Sequence, residues 1–145
     1  TRARRPARSA TVHDELHPRR PDLAARLFEP FALDLRSEVR PGMRGWIPVV
    51  PCRFAGGVLR TFWHSDYFHS SARHADAPPR TRADGELLEL YEAIANEPDV
   101  RLDMALAPRD LQLVSNHTVI HARTAYEDGP GEGGRRHLLR LWLSL

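Results

Sequence analysis

The chain has 145 residues, a length that suits one domain with a real core. Its 41% hydrophobic and 28% charged residues exclude a disordered polymer, no apolar run reaches the ~18–20 residues of a membrane span, and no secretory signal is visible. The single cysteine, Cys52, excludes an internal disulfide and a multi-cysteine zinc site, and it suits a reducing, cytoplasmic setting.

The sequence pI near 9.2 has a local origin. All 21 basic residues are arginine, and Arg2, Arg4, Arg5 and Arg8 fall within the first ten residues, which hold no acid. Beyond those ten, 17 arginines face 19 acids. The basicity therefore belongs to residues 1–10, read as an unstructured tail because they lack apolar periodicity, and a nucleic-acid role for residues 11–145 is not indicated.

In chain order, Thr11 is a candidate cap for a short helix with Asp14 and Glu15 in its first turn and Pro18 as its limit. Pro21 suits the first position of a second helix, PDLAARLF, whose Leu23 and Leu27 share a face. The segment from Pro30 to Pro51 is rich in Pro, Gly and Arg. Within it PGMRG reads as a turn and WIPVV as a short strand that Pro48 confines to an edge or bulge. Gly56-Gly57 reads as a hairpin turn between CRFA and VLRTFW. Residues 75–85, ADAPPRTRADG, read as a loop. The stripe Leu87, Leu90, Tyr91 and Ile94 predicts a helix over residues 86–96, which Pro98 stops. Residues 101–106 alternate as a strand, and Pro108-Arg109-Asp110 turns into the last section. Helices, strands, one helix and then strands predict an antiparallel β core with flanking helices, an α+β arrangement. No phosphate-binding glycine motif supports a doubly wound sheet.

The chemistry concentrates after Pro108. In HTVIH the residues between His117 and His121 favour a strand, which separates the two histidines by roughly 13 Å at ~3.3 Å per residue. Each zinc-like ligand nitrogen must lie within ~2.0–2.1 Å of the metal, so a continuous strand allows only one of the pair as ligand. A turn at Ser115-Asn116 favours His121 as that one, and the plain alternative is a hydrogen-bonded strand histidine. In the terminal strand, alternation sets Arg136, Leu138, Arg140 and Trp142 on one face. The opposite face, with Leu139, Leu141 and Leu143, should pack on a second layer. Two arginines beside apolar residues suit the wall of an anion pocket, and the alternative is a solvated face with Arg–carboxylate pairs.

SNHTVIHARTAYED followed by RRHLLRLWLSL resembles the C-terminal section of the taurine dioxygenase-like (TauD/TfdA) family of iron(II)- and 2-oxoglutarate-dependent oxygenases. The likeness extends back through LYEAIANEPDVRLDMALAPRDLQLVSNH and, more loosely, to TVHDELHPRRPDLAARLFEPF. The resemblance implies a double-stranded β-helix (jelly roll) and an iron site of an HxD pair plus a distal histidine. It makes His121 the distal metal ligand and Arg136 the partner of the cosubstrate's far carboxylate, and it sets Arg140 near the cosubstrate or an anionic substrate group. The implied reaction consumes O2 and 2-oxoglutarate, gives succinate and CO2, and hydroxylates a C–H bond of a small molecule.

Two departures accompany the resemblance. The family's Pro-Gly-Asp turn is Pro108-Arg109-Asp110 here, and arginine suits that place poorly if it needs positive φ. In the family the HxD motif precedes the helix that matches TVHDEL, where this chain has TRARRPARSA. The expectation is therefore the C-terminal part of an oxygenase domain, over residues 11–145, with a jelly roll incomplete at its start and open edges that invite self-association. Such a chain alone is expected to lack turnover. One internal substitute for the pair is His64-Ser65-Asp66, if both side chains share a strand face. Its alternative is an aromatic strand end in which Asp66 pairs with Arg60 or Arg73. A non-catalytic anion-binding or scaffold remnant of the same fold is the competing functional reading.

Overall fold

A computed structural model describes residues 3–123, 139–141 and 143. The first strand, β1, runs over Ala3–Arg8 and leads directly into helix α1, Ser9–Arg19. The residues expected to be an unstructured tail instead form the middle of a three-stranded antiparallel sheet. β1 pairs on one side with β6, Met104–Ala105, and on the other with β7, Val119–Arg123. The physical reason is backbone pairing: two neighbouring strand edges satisfy the amide and carbonyl groups of β1 without any apolar side-chain pattern. Ala7, small enough to lie against the helices, is buried.

Continuity with β1 also shifts the start of α1. The helix begins at Ser9, so Thr11 is inside it and caps nothing, and Asp14 and Glu15 lie beyond its first turn. Pro18 sits in the last turn, where it limits the helix as expected. α2, Pro21–Arg26, carries proline at its first position. Val12, Leu16, Leu23 and Leu27 are fully or almost fully buried on the faces these two helices share with the helix over Arg82–Ala95.

α4 spans Arg82–Ala95 and is the main core helix, burying Leu87, Leu88, Tyr91 and Ile94. It starts four residues before the predicted boundary. The Thr81 hydroxyl accepts from the Asp84 amide, while the Asp84 carboxylate accepts from the Thr81 amide. This reciprocal cap satisfies two donors that would otherwise be orphaned. The other oxygen of Asp84 takes the Arg26 guanidinium at 2.7 Å and so ties α2 to α4.

Two small antiparallel pairs complete the described sheets. β2, Phe31–Asp34, pairs with β3, Trp46–Val49, and Pro48 lies opposite Ala32 on a strand with one partner, as its missing N–H requires. β4, Cys52–Ala55, and β5, Val58–Thr61, form the Gly56-Gly57 hairpin, with φ of +59° and +76° at the glycines. After β5 comes a six-residue helix, α3, over Ser65–Ser70. The described residues thus combine four α-helices with small antiparallel sheets: the mixed content is as expected, whereas the buried core is built largely on α1, α2 and α4 and not on a β core with helices outside it.

Candidate functional site

His121 is the third residue of β7, paired across to Pro6 of β1. The turn that feeds this strand closes at Ser115, whose carbonyl accepts from the amides of Thr118 and Val119. His117 therefore lies in the turn and His121 in the strand, the division expected from the sequence. The His121 side chain is exposed, with Nε2 3.4 Å from Asn116 Oδ1. Two bonds anchor the turn to the body: Ser9 N donates to Thr118 O at 3.0 Å, and Thr61 N donates to His117 O at 2.7 Å.

Arg136 lies outside the described residues, and with it the Arg136 half of the expected anion wall. Arg140 is described and exposed. The neighbouring Leu139, Leu141 and Leu143 are 95%, 83% and 69% exposed. Their expected burial against a second layer does not occur, because no described element covers them. Arg140 acts electrostatically on His64, in the segment that follows β5.

His64-Ser65-Asp66 opens α3 and is not a strand. His64 is the non-helical cap of α3 and Asp66 lies in its first turn, so the continuous strand face on which the pair was expected is absent. The suggested Asp66–Arg73 pair is also replaced: Arg73 binds Asp34 at 3.0 Å. His64 stacks on Tyr67 with ring centroids 4.6 Å apart and planes 12° from parallel. The Arg36 guanidinium lies 4.1 Å from the centre of the Tyr67 ring. Burial pushes the His64 imidazole below its ordinary pKa, and Arg36 and Arg140 reinforce this against the opposing pull of Asp66.

Arg36 is positioned by Asp34, a residue that no motif marks. This fully buried carboxylate accepts from the Arg36 amide at 2.9 Å and from Arg73, and it contacts the His74 ring at 2.9 Å. Burial opposes its charge, yet these partners outweigh burial and hold the group well below the usual carboxylate range. Gly45 completes the arrangement, since any Cβ there would collide with the His74 imidazole. The missed signal was the density of rings and charges in FWHSDYFHSSARH, which a strand-oriented reading treats as a fading pattern.

An iron site of the expected type needs two histidines and a carboxylate. Among the described residues no three His, Cys, Asp or Glu side chains converge in a way that could hold a metal ion. The described residues do not fit a complete triad. Among them, too, no helix is long and apolar enough to cross a membrane.

FR-33289 synthase of Streptomyces rubellomurinus (strain ATCC 31215) is 43% identical over 61 residues, which are 40% of this chain and 18% of that relative. The chain thus matches less than a fifth of that protein's length. The family model described as "Taurine catabolism dioxygenase TauD, TfdA family" matches residues 7–142, nearly the whole chain from β1 onward. The chain belongs to the TauD/TfdA family of dioxygenases.

Proposed function

We propose that the chain serves an iron(II)- and 2-oxoglutarate-dependent dioxygenase that hydroxylates a C–H bond of a small molecule, with 2-oxoglutarate converted to succinate and CO2. In this reading His121 is the distal metal ligand, Arg136 binds the far carboxylate of 2-oxoglutarate, and Arg140 serves the cosubstrate or an anionic group of the substrate. The jelly-roll architecture, self-association and a cytoplasmic setting belong to the same proposal. The supporting observation is His121 in mid-strand on β7, in a chain whose family match runs through both it and the RRxxxR segment. A bidentate guanidinium is the natural receptor for a carboxylate.

The other two ligands of the triad are not supplied by the described residues. The 145-residue chain with Fe(II), ascorbate and 2-oxoglutarate is therefore expected to form no succinate alone. Calorimetry tests the reading directly. Binding of 2-oxoglutarate is expected only with Mn(II) or Fe(II) present, to be lost in His121→Ala, and to weaken about tenfold or more in Arg136→Gln, as for loss of one charge-assisted bidentate contact. Equal binding without metal would replace this reading with that of a metal-free anion-binding member of the fold. Robust succinate formation abolished by His64→Ala would restore the internal HxD pair.

A further inference from the structure

Among the described residues, five buried side-chain atoms have no hydrogen-bond partner: Ser9 Oγ, Asp34 Oδ2, Trp46 Nε1, Ser70 Oγ and Tyr91 Oη. Three of them belong to residues that meet at one carboxylate. Asp34 ends β2, and its cross-strand partner is Trp46, which opens β3. Directly opposed residues of an antiparallel pair project from the same face with Cβ atoms ~4.5–5.5 Å apart, so the indole leaves the sheet beside the carboxylate. Ser70 is the last residue of α3, which packs on β2. The chain continues from it into a 3-10 turn, Ser71–Arg73, in which residues three apart stack over one another. Arg73 and the next residue, His74, both reach Asp34 Oδ1, so Ser70 stands over the same carboxylate.

The two oxygens of that carboxylate are loaded unequally. Oδ1 accepts from the Arg36 amide at 2.9 Å and from Arg73 at 3.0 Å, and it lies 2.9 Å from His74 Nε2. Oδ2 takes no bond from the described residues, although the side chain is 0% exposed. The Ser70 hydroxyl is near enough to favour the charged form of Asp34, yet the two are not bonded. Buried polar atoms left this way are costly, and ordered water is their usual partner where several of them face one space. The chemistry selects the ligand. An indole N–H only donates and a carboxylate only accepts, so the group between them must do both. An anion would meet the carboxylate, and a cation would meet the indole N–H and the Arg73 guanidinium.

We propose that Asp34 Oδ2, Trp46 Nε1 and Ser70 Oγ bind one internal water molecule. It accepts from the indole, donates to Oδ2 and shares a third hydrogen bond with the Ser70 hydroxyl. The site fastens β2, β3 and the end of α3 at one point. The connection over residues 35–45 leaves the sheet after Asp34 and returns at Trp46, so the water secures the base of this loop. Arg36, at φ +48° and with its amide bonded to Asp34, stands at that base.

The test uses the isotope-labelled 145-residue chain, free of metal and followed by NMR. A cross-relaxation peak is expected between the Trp46 indole proton and a water molecule that outlives molecular tumbling. Trp46→Phe assigns the peak by removing it. Ser70→Ala should keep it, since the water retains the indole and the carboxylate; a peak lost with the hydroxyl was relayed through Ser70 and overturns the proposal. Both variants should speed exchange of the Arg36 amide about three- to tenfold, as for one lost neutral hydrogen bond. Absence of the long-lived water overturns the proposal, and so does Arg36 exchange unchanged in both folded variants. A peak or an exchange rate that changes when ammonium replaces sodium at constant ionic strength would make the ligand a cation and overturn it too.

Discussion

Residues 7–94 hold every buried hydrophobic side chain among the described residues, whereas from Arg101 onward no described residue is buried. The first region is held by interdigitated core side chains, the second by backbone pairing to β1, by the half-buried Ile120 against the core and by single bonds such as Thr61 N to His117 O. His121 and Arg140, which carry the proposed chemistry, belong to the thinly packed region, and Arg36, His64 and Tyr67 stand on the body. The difference separates two roles that a single stability measurement would blur. Changes in the body should act on folding, while changes in the last third should act on the site and leave the body intact.

The largest expected effect tests that separation. Tyr91 is fully buried and stacks on Trp63 at 3.9 Å between centroids. Tyr91→Ala should cost about 3–5 kcal/mol in urea unfolding through lost burial and a cavity. Leu141→Ala, at a side chain 83% exposed, should stay within about 0.5 kcal/mol. Comparable losses at both positions would mean that the terminal segment is covered and that the two regions do not differ in this way.

Asp34 gives the next effect and lies within the body, where it fixes Arg36. Asp34→Asn should cost roughly 2–3 kcal/mol, since a buried acceptor of charge-assisted bonds becomes an amide with misplaced donors. A carboxyl whose folded pKa is depressed contributes stability that is present above its unfolded value, near ~3.9, and is lost as pH falls toward the folded value. Wild type should therefore weaken progressively below about pH 4, and Asp34→Asn should show a shallower decline over the same range. Parallel acid profiles would show that the cluster of Asp34, Arg73 and His74 contributes no linkage.

How much of this was legible in the sequence follows the same division. The α4 stripe, Pro21 at a helix start and the Gly-Gly hairpin are local signals, and the structure follows them. The Thr81 cap was equally local, a Thr-x-x-Asp pattern hidden inside a Pro- and Arg-rich stretch that reads as a loop. β1 was not legible, because its pairing is supplied by backbone from residues about 100 and 115 positions away in sequence. Asp34 was invisible for a similar reason, since its partners Arg73 and His74 are 39 and 40 residues downstream. For the site, the placement of His121 in a strand after a turn could be reasoned from residue type. The ring cluster around His64 required knowing that its segment becomes a helix.

The smallest expected effect lies in the turn at Arg109, whose φ is +78°. The reading that arginine suits this position poorly is matched by that angle, which glycine adopts without steric cost. Asp110 keeps the turn closed, its carboxylate accepting from the Ala107 amide at 2.7 Å while its own amide donates to the Ala107 carbonyl. Arg109→Gly should relieve about 1–2 kcal/mol of left-handed strain and return about 0.5–1 kcal/mol through the freer unfolded chain. The net gain is about 0.5–1 kcal/mol. Where that gain is read decides more than its size. If the last third opens independently of the body, the Asp110 amide should exchange more slowly in Arg109→Gly while the urea midpoint of the body stays fixed. A midpoint that rises by the full amount would show that the site-bearing region and the core unfold as one unit.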